Sequence, residues 1–109
     1  MNQKGVKTME NLKPIETLES ILGTINTDEC DVLKLFYGIK DGSEHTFEEI
    51  ATILNKSADE IREIYAKAFR KLRHPSRRNK ISSDEFISSI SNHKGYKKLT
   101  VDIANKPIY

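Results

Sequence analysis

The 109-residue sequence predicts an all-α fold, a compact domain of four to five helices followed by an irregular C-terminal tail. Three observations carry that expectation. Apolar residues recur at three- and four-residue steps through most of the chain, the period of a helix with one buried face. Two capping boxes, Thr46 with Glu49 and Ser57 with Glu60, begin eleven residues apart. Pro14, Gly38, Gly42 and Pro75 fall at the edges of the periodic stretches, where helices start and stop. The length suits one domain, and 37% hydrophobic with 7% aromatic residues allows a core that is real but small. The 31% charged content and mean hydropathy of −0.58 favour a soluble, surface-rich helical protein.

Taken in order, residues 1–12 are polar and without periodicity and read as a flexible lead-in. Pro14 suits the first turn of a helix carrying Ile15, Leu18, Ile21, Leu22 and Ile25. Thr27 is the expected N-cap of a second helix, with Asp28 and Glu29 where the helix N-terminus favours anions. That helix holds Val32, Leu33, Leu35, Phe36 and Tyr37 and ends at Gly38. Lys40–Glu44 reads as a loop. The first capping box opens a short helix with Phe47, Ile50, Ala51, Ile53 and Leu54; the second opens a longer one with Ile61, Ile64, Tyr65, Ala68, Phe69 and Leu72, stopped near His74-Pro75. Only Asn55-Lys56 joins them, and Asn tolerates the left-handed conformation of a tight turn. A short helix, a tight turn and a longer helix suit a helix-turn-helix. On pattern alone an ordinary helical hairpin fits equally well.

Ser83 can cap one more short helix, through Ile90. Residues 92–109, with Gly95 and Pro107, are expected to be irregular. Within them Leu99-Thr100-Val101-Asp102-Ile103 alternates like a strand, which leaves two readings: a disordered tail, or a strand that pairs with a partner's sheet edge. The domain boundaries follow as a lead-in over 1–12, a helical domain over 13–80 and a C-terminal extension over 81–109.

Composition excludes several function classes. One cysteine, Cys30, permits no disulfide framework and no Cys cluster for zinc, and its apolar helix marks it as a core residue. His45, His74 and His93 lack metal-ligand spacing. The acidic pairs Glu48-Glu49 and Asp84-Glu85 are sequence neighbours that cannot face each other on a helix, and they suit first turns. The expectation is a protein that is not an enzyme and needs no cofactor or metal. No apolar run of 18 residues and no signal-peptide stretch occurs, so a cytoplasmic, non-membrane protein is expected.

The net charge of +2 conceals a dipolar chain. Residues 1–55 carry five Lys and ten acids (net −5), whereas residues 56–109 carry thirteen basic residues and six acids (net +7). Lys67, Arg70, Lys71, Arg73, Arg77, Arg78 and Lys80 follow one another without an acid. Seven cations exceed what a helix C-terminus requires, and the block reads as a surface for nucleic acid or an acidic protein.

Three stretches now identify a family. Asp31–Ile39 (DVLKLFYGI), His45–Leu54 (HTFEEIATIL) and Ala66–Arg78 (AKAFRKLRHPSRR) resemble region 4 of the sigma-70 family, the promoter-recognition subunits of bacterial RNA polymerase. The likeness runs without a gap from about Thr24 to Arg78, roughly half the chain. It implies a helix-turn-helix whose longer helix enters the major groove at the −35 element, and a surface that docks on the flap of the polymerase β subunit. No Trp and no space for a region 2 are present, so promoter melting would need a separate region 2-like protein. The resemblance further suggests a bacterial host cell and a bacteriophage origin.

The family pattern assigns DNA contact to Phe47, Ser57, Ala58, Asp59, Arg62, Glu63 and Lys67. Of these, Arg62 matches a base-reading arginine and Asp59 shortens a base-reading glutamate, while Ala58 replaces an arginine and Glu63 a glutamine. Two phosphate-contacting arginines of the family are replaced by Asp28 and Phe36. Flap docking falls by the same resemblance to Leu33, Tyr37, Ile50, Ile64, Phe69 and Leu72, residues that a core would also need. Lys67, Arg70, Lys71 and Arg73, continued by Arg77 and Arg78, match a basic strip that meets activators or DNA phosphates. The resulting expectation is a transcription initiation factor that docks on polymerase and redirects promoter use, with weak or altered −35 recognition. An autonomous DNA-binding regulator and a flap-occupying inhibitor of the host sigma factor are the alternatives.

Overall fold

The computed structural model describes residues 13–105; the lead-in expected over 1–12 and the last residues of the tail, 106–109, lie outside the described residues. Seven helices occur among the described residues: α1 (Pro14–Leu22), α2 (Thr27–Phe36), α3 (Phe47–Leu54), α4 (Ala58–Leu72), α5 (Pro75–Ile81), α6 (Asp84–Ser89) and α7 (Lys94–Asn105). None is long and apolar enough to cross a membrane.

The local chemistry of the termini accounts for most boundaries. Pro14 is the first residue of α1, where its missing N–H costs nothing. The N-cap of α2 is Asn26, one residue before the expected Thr27, because the Glu29 carboxylate accepts from the Asn26 N–H at 3.0 Å. Tyr37 caps the C-terminus of α2, and Gly38 follows at φ +73°, where a Cβ would lie 3.1 Å from the Glu44 backbone nitrogen. After α4 the chain does not leave helical structure for long. Pro75 starts α5, and the His74 imidazole accepts from the Ser76 N–H at 3.2 Å. Ser83 caps α6 through the Phe86 N–H at 3.1 Å.

Two apolar clusters lie on opposite sides of α2. Val32 and Leu35 face Ile50, Ala51 and Ile61, a small core that belongs to α2, α3 and α4. Leu33 and Tyr37 face the larger core, built with Leu18, Ile21 and Leu22 of α1, Phe69 and Leu72 of α4, Ile81, Ile90, and Leu99 and Ile103 of α7. Phe36 and Tyr65 pack against both clusters, and the Phe36 ring stacks on Phe47 at 5.0 Å between centroids. Phe36, where the family pattern has an arginine, therefore serves as packing.

The C-terminal stretch corrects the sequence expectation. Residues 94–105 form neither an irregular tail nor a strand but the twelve-residue helix α7. Tyr96, Leu99, Thr100 and Ile103 share one helical face, and the last three are fully buried. The alternation of Leu99, Val101 and Ile103 is compatible with period two, but Leu99 and Ile103 also stand four apart. Packing decides between them, because the larger core offers an apolar surface that a lone strand could not cover. Polar contacts hold α7 in register: the Tyr37 hydroxyl donates to Asp102 Oδ2 at 2.7 Å, and the Tyr96 hydroxyl donates to Glu19 of α1. Gly95 lets the start of α7 approach the end of α2, since a Cβ there would sit 2.6 Å from the Tyr37 carbonyl oxygen.

Candidate nucleic-acid interface

Both helices of the central motif start by the same chemistry. The Thr46 hydroxyl accepts from the Glu49 N–H at 3.1 Å and the Glu49 carboxylate accepts from the Thr46 N–H at 3.0 Å. Ser57 and Glu60 repeat the exchange at 3.1 Å in both directions. Between the helices Asn55 adopts φ 58°, ψ 49°, the left-handed cap of α3, and the Lys56 N–H returns to the Ala51 carbonyl at 2.9 Å. Helix α4 packs against both α2 and α3. The pattern that sequence alone shared between a hairpin and a helix-turn-helix is thus an α3–turn–α4 unit braced by α2.

The expected DNA-facing residues lie at the start of α3 and along the first two-thirds of α4. Ser57, Asp59, Arg62, Glu63 and Lys67 are exposed along α4, with Ala58 and Phe47 half-buried. Arg62 is not a free fork. Its Nη2 donates to Glu48 Oε2 at 2.9 Å and its Nη1 to Asp59 Oδ1 at 3.1 Å, while its guanidinium carbon lies 5.8 Å from the centre of the Phe47 ring. By its sequence position Glu48 is only a first-turn acid. Nothing local could reveal its link to Arg62, because the two are fourteen positions apart and meet only when α3 and α4 pack.

The basic strip is divided by the fold. Lys67 and Arg70 are exposed. Lys71 instead meets the buried carboxylate of Glu29 at 2.9 Å, a pairing that lets an acid lie inside the protein. Arg73 Nη1 donates to the Ile103 carbonyl at 2.7 Å and Arg78 Nη2 to the Ala104 carbonyl at 3.3 Å, both in the last turn of α7. Cations are favoured at that helix end, whose carbonyls lack intrahelical partners. Arg77 ties the Thr24 hydroxyl at 2.8 Å to the Lys71 carbonyl at 3.2 Å. Lys71, Arg73, Arg77 and Arg78 are therefore half-buried and each bonded within the fold, unlike Lys67 and Arg70.

The expected flap-docking set is for the most part buried. Leu33, Tyr37, Ile50, Phe69 and Leu72 are each at most 4% exposed and form the two cores, so their side chains are not presented at the surface. Ile64 is half-buried. Burial and the bonds to Tyr65 and Asp102 push the Tyr37 hydroxyl far above its ordinary pKa, in keeping with a neutral donor inside the fold.

The fold and the geometry of α3 and α4 define the class: an all-α helix-turn-helix protein with an exposed, charged face at the start of α4. Residues 21–74 match the family described as "Sigma-70, region 4". The chain is 53% identical over 62 residues to the RNA polymerase sigma factor SigA of Microcystis aeruginosa, and 53% identical over 62 residues to SigA of a Synechocystis species. It is 52% identical over 62 residues to SigA1 of Synechococcus elongatus. Each match covers 57% of this chain and 15 to 16% of the relative, so the chain corresponds to a small part of those proteins. Residues 21–74 make this chain a member of the sigma-70 region 4 family. Helices α5, α6 and α7 lie beyond the matched stretch.

Proposed function

We propose that the protein acts in transcription initiation as a sigma region 4-type factor, docking on the β-subunit flap of bacterial RNA polymerase and redirecting promoter use, with weak or altered reading of the −35 element. It binds and does not catalyse. The family membership of residues 21–74 supports a partner in the transcription apparatus. The observation that carries the reading is the charge at the exposed end of α3 and α4: Arg62 stands among Glu48, Asp59 and Glu63, with two of these acids bonded to it. DNA phosphates repel such an end, so DNA supplies little of the affinity and polymerase supplies most. Docking then uses the outer surface of the helices, with Ile64 its half-buried member, and Lys67 and Arg70 remain for phosphates or an acidic activator.

Binding of the purified chain to core polymerase and to an isolated flap domain tests this directly, and failure with both ends the proposal. The carboxylates around Arg62 also favour a second reading, an inhibitor that occupies the flap without reading DNA. In vitro transcription separates the two. New start sites support redirection, and repression of host promoters without new starts supports the inhibitor.

A further inference from the structure

Adjacent carboxylates on α3 have different tasks. Glu49 turns back to the Thr46 N–H and lies 3.5 Å from the His45 imidazole, so it belongs to the helix start. Glu48 reaches across to α4, where Glu48 Oε2 and Asp59 Oδ1 take the two terminal nitrogens of Arg62. Those two nitrogens form part of the fork that grips the O6/N7 edge of a guanine. Phe47, itself stacked on Phe36, lies beneath the guanidinium. The arginine is therefore held in place by groups that compete with DNA for it.

We infer that Glu48 is a positioning and specificity-determining residue: it holds Arg62 back from phosphates, so that Arg62 engages duplex DNA only where a guanine edge can replace the carboxylates. This rests on the DNA-reading part of the proposed function. All three groups are solvent-exposed, and an exposed ion pair biases an equilibrium by no more than about fivefold. A bidentate arginine–guanine contact discriminates by about five- to hundredfold. The pair is strong enough to discourage a single phosphate contact and weak enough to yield to the right base. Glu48 thereby lowers affinity for DNA in general while raising the ratio between a matched and an unmatched site.

The test is a double-mutant cycle on the full chain with Glu48→Gln, Arg62→Ala and the combination. Binding to a random-sequence duplex is read by fluorescence anisotropy over a range of salt, and base preference by selection from a random duplex pool. Glu48→Gln is expected to tighten random-sequence binding about two- to fivefold and to steepen the slope of log K against log salt by about 0.9, one further phosphate neutralised. Preference for guanine at one position should weaken, and every effect should vanish in the Arg62→Ala background. Glu48 is exposed, so its variant should unfold at the wild-type temperature. A tightening that persists without Arg62 is a general charge effect and overturns the inference alone, as does wild-type binding that Glu48→Gln leaves unchanged. Absence of DNA binding by all four proteins removes the DNA-reading premise and the inference together.

Discussion

The arginines at the two ends of α4 meet different surroundings. Arg62, near its start, lies in solvent between Glu48 and Asp59, in ion pairs that water screens. Arg73, just past its end, is drawn into the protein and donates to the last carbonyls of α7, joined there by Arg78. The first arginine is available for exchange of partners and the second is part of the scaffold. Positive charge in a sequence is thus a poor guide to a binding surface until the carbonyls and carboxylates that claim it are known. The same division runs through the molecule: the α3–α4 end carries exchangeable surface pairs, while α1, α5, α6 and α7 form a buttress with the larger core.

The contrast can be broken most forcefully at the buttress. Leu99→Ala removes a fully buried side chain of α7 and should cost about 2–5 kcal/mol, read by chemical or thermal unfolding. A loss below about 0.5 kcal/mol would show that α7 is not part of the core. Gly95→Ala should cost about 1–3 kcal/mol, because its Cβ would press on the Tyr37 carbonyl and the Ile39 side chain at 2.6 and 2.9 Å. The reading end should respond in the opposite way. Arg62→Ala should leave stability within about 0.5 kcal/mol of wild type yet weaken matched-site DNA binding by about 1–3 kcal/mol with relaxed preference at one position. An equal loss on all sequences would reassign Arg62 to a phosphate.

Arg73→Ala sharpens the comparison further, with about 1–2 kcal/mol of lost stability expected from the uncapped Ile103 carbonyl. The smallest effect lies at the entrance to α3. A hydrogen bond to Asp41 holds the His45 imidazole above its usual 6.5, and the same bond holds the Asp41 carboxyl below its usual range. A raised imidazole stabilises the fold fully below its unfolded pKa and loses that contribution as pH rises through the folded value. A lowered carboxyl contributes above its unfolded pKa and loses this as pH falls through its folded value. A shallow stability maximum at mildly acid pH should follow and diminish in Asp41→Asn, where Glu49 alone still faces the imidazole, checked by unfolding curves across pH and by NMR titration of His45.

Much of this fold was legible before the structure. The capping boxes at Thr46 and Ser57, the permissive Asn55, Pro14 and Gly38 are local devices whose chemistry involves residues two to four positions apart, and each stands at or beside the helix boundary it suggested. The exposure of Asp59, Arg62, Glu63 and Lys67 was legible too, because it follows from the periodicity of α4. The role of α7 was not, since Leu99 to Ile103 satisfies both a two-residue and a four-residue period and only the exposed core of α1, α2 and α5 selects between them. The burial of the expected flap-docking residues was not legible for a related reason: an apolar residue on a helix face looks alike whether its partner is its own core or another protein.

By itself, then, the sequence determined the helical class, the helix-turn-helix with its two capped starts, and the acids Asp59 and Glu63 beside Arg62 at the start of the longer helix. These depend on periodicity, on hydrogen bonds between near neighbours, and on residue identity at fixed helix positions. Tertiary structure alone decided which cations remain at the surface, that the C-terminal stretch is a helix, and that Glu48 meets Arg62. Those outcomes depend on contacts between residues fourteen to sixty-five or more positions apart. Packing brings such groups within bonding distance, and no local preference encodes it.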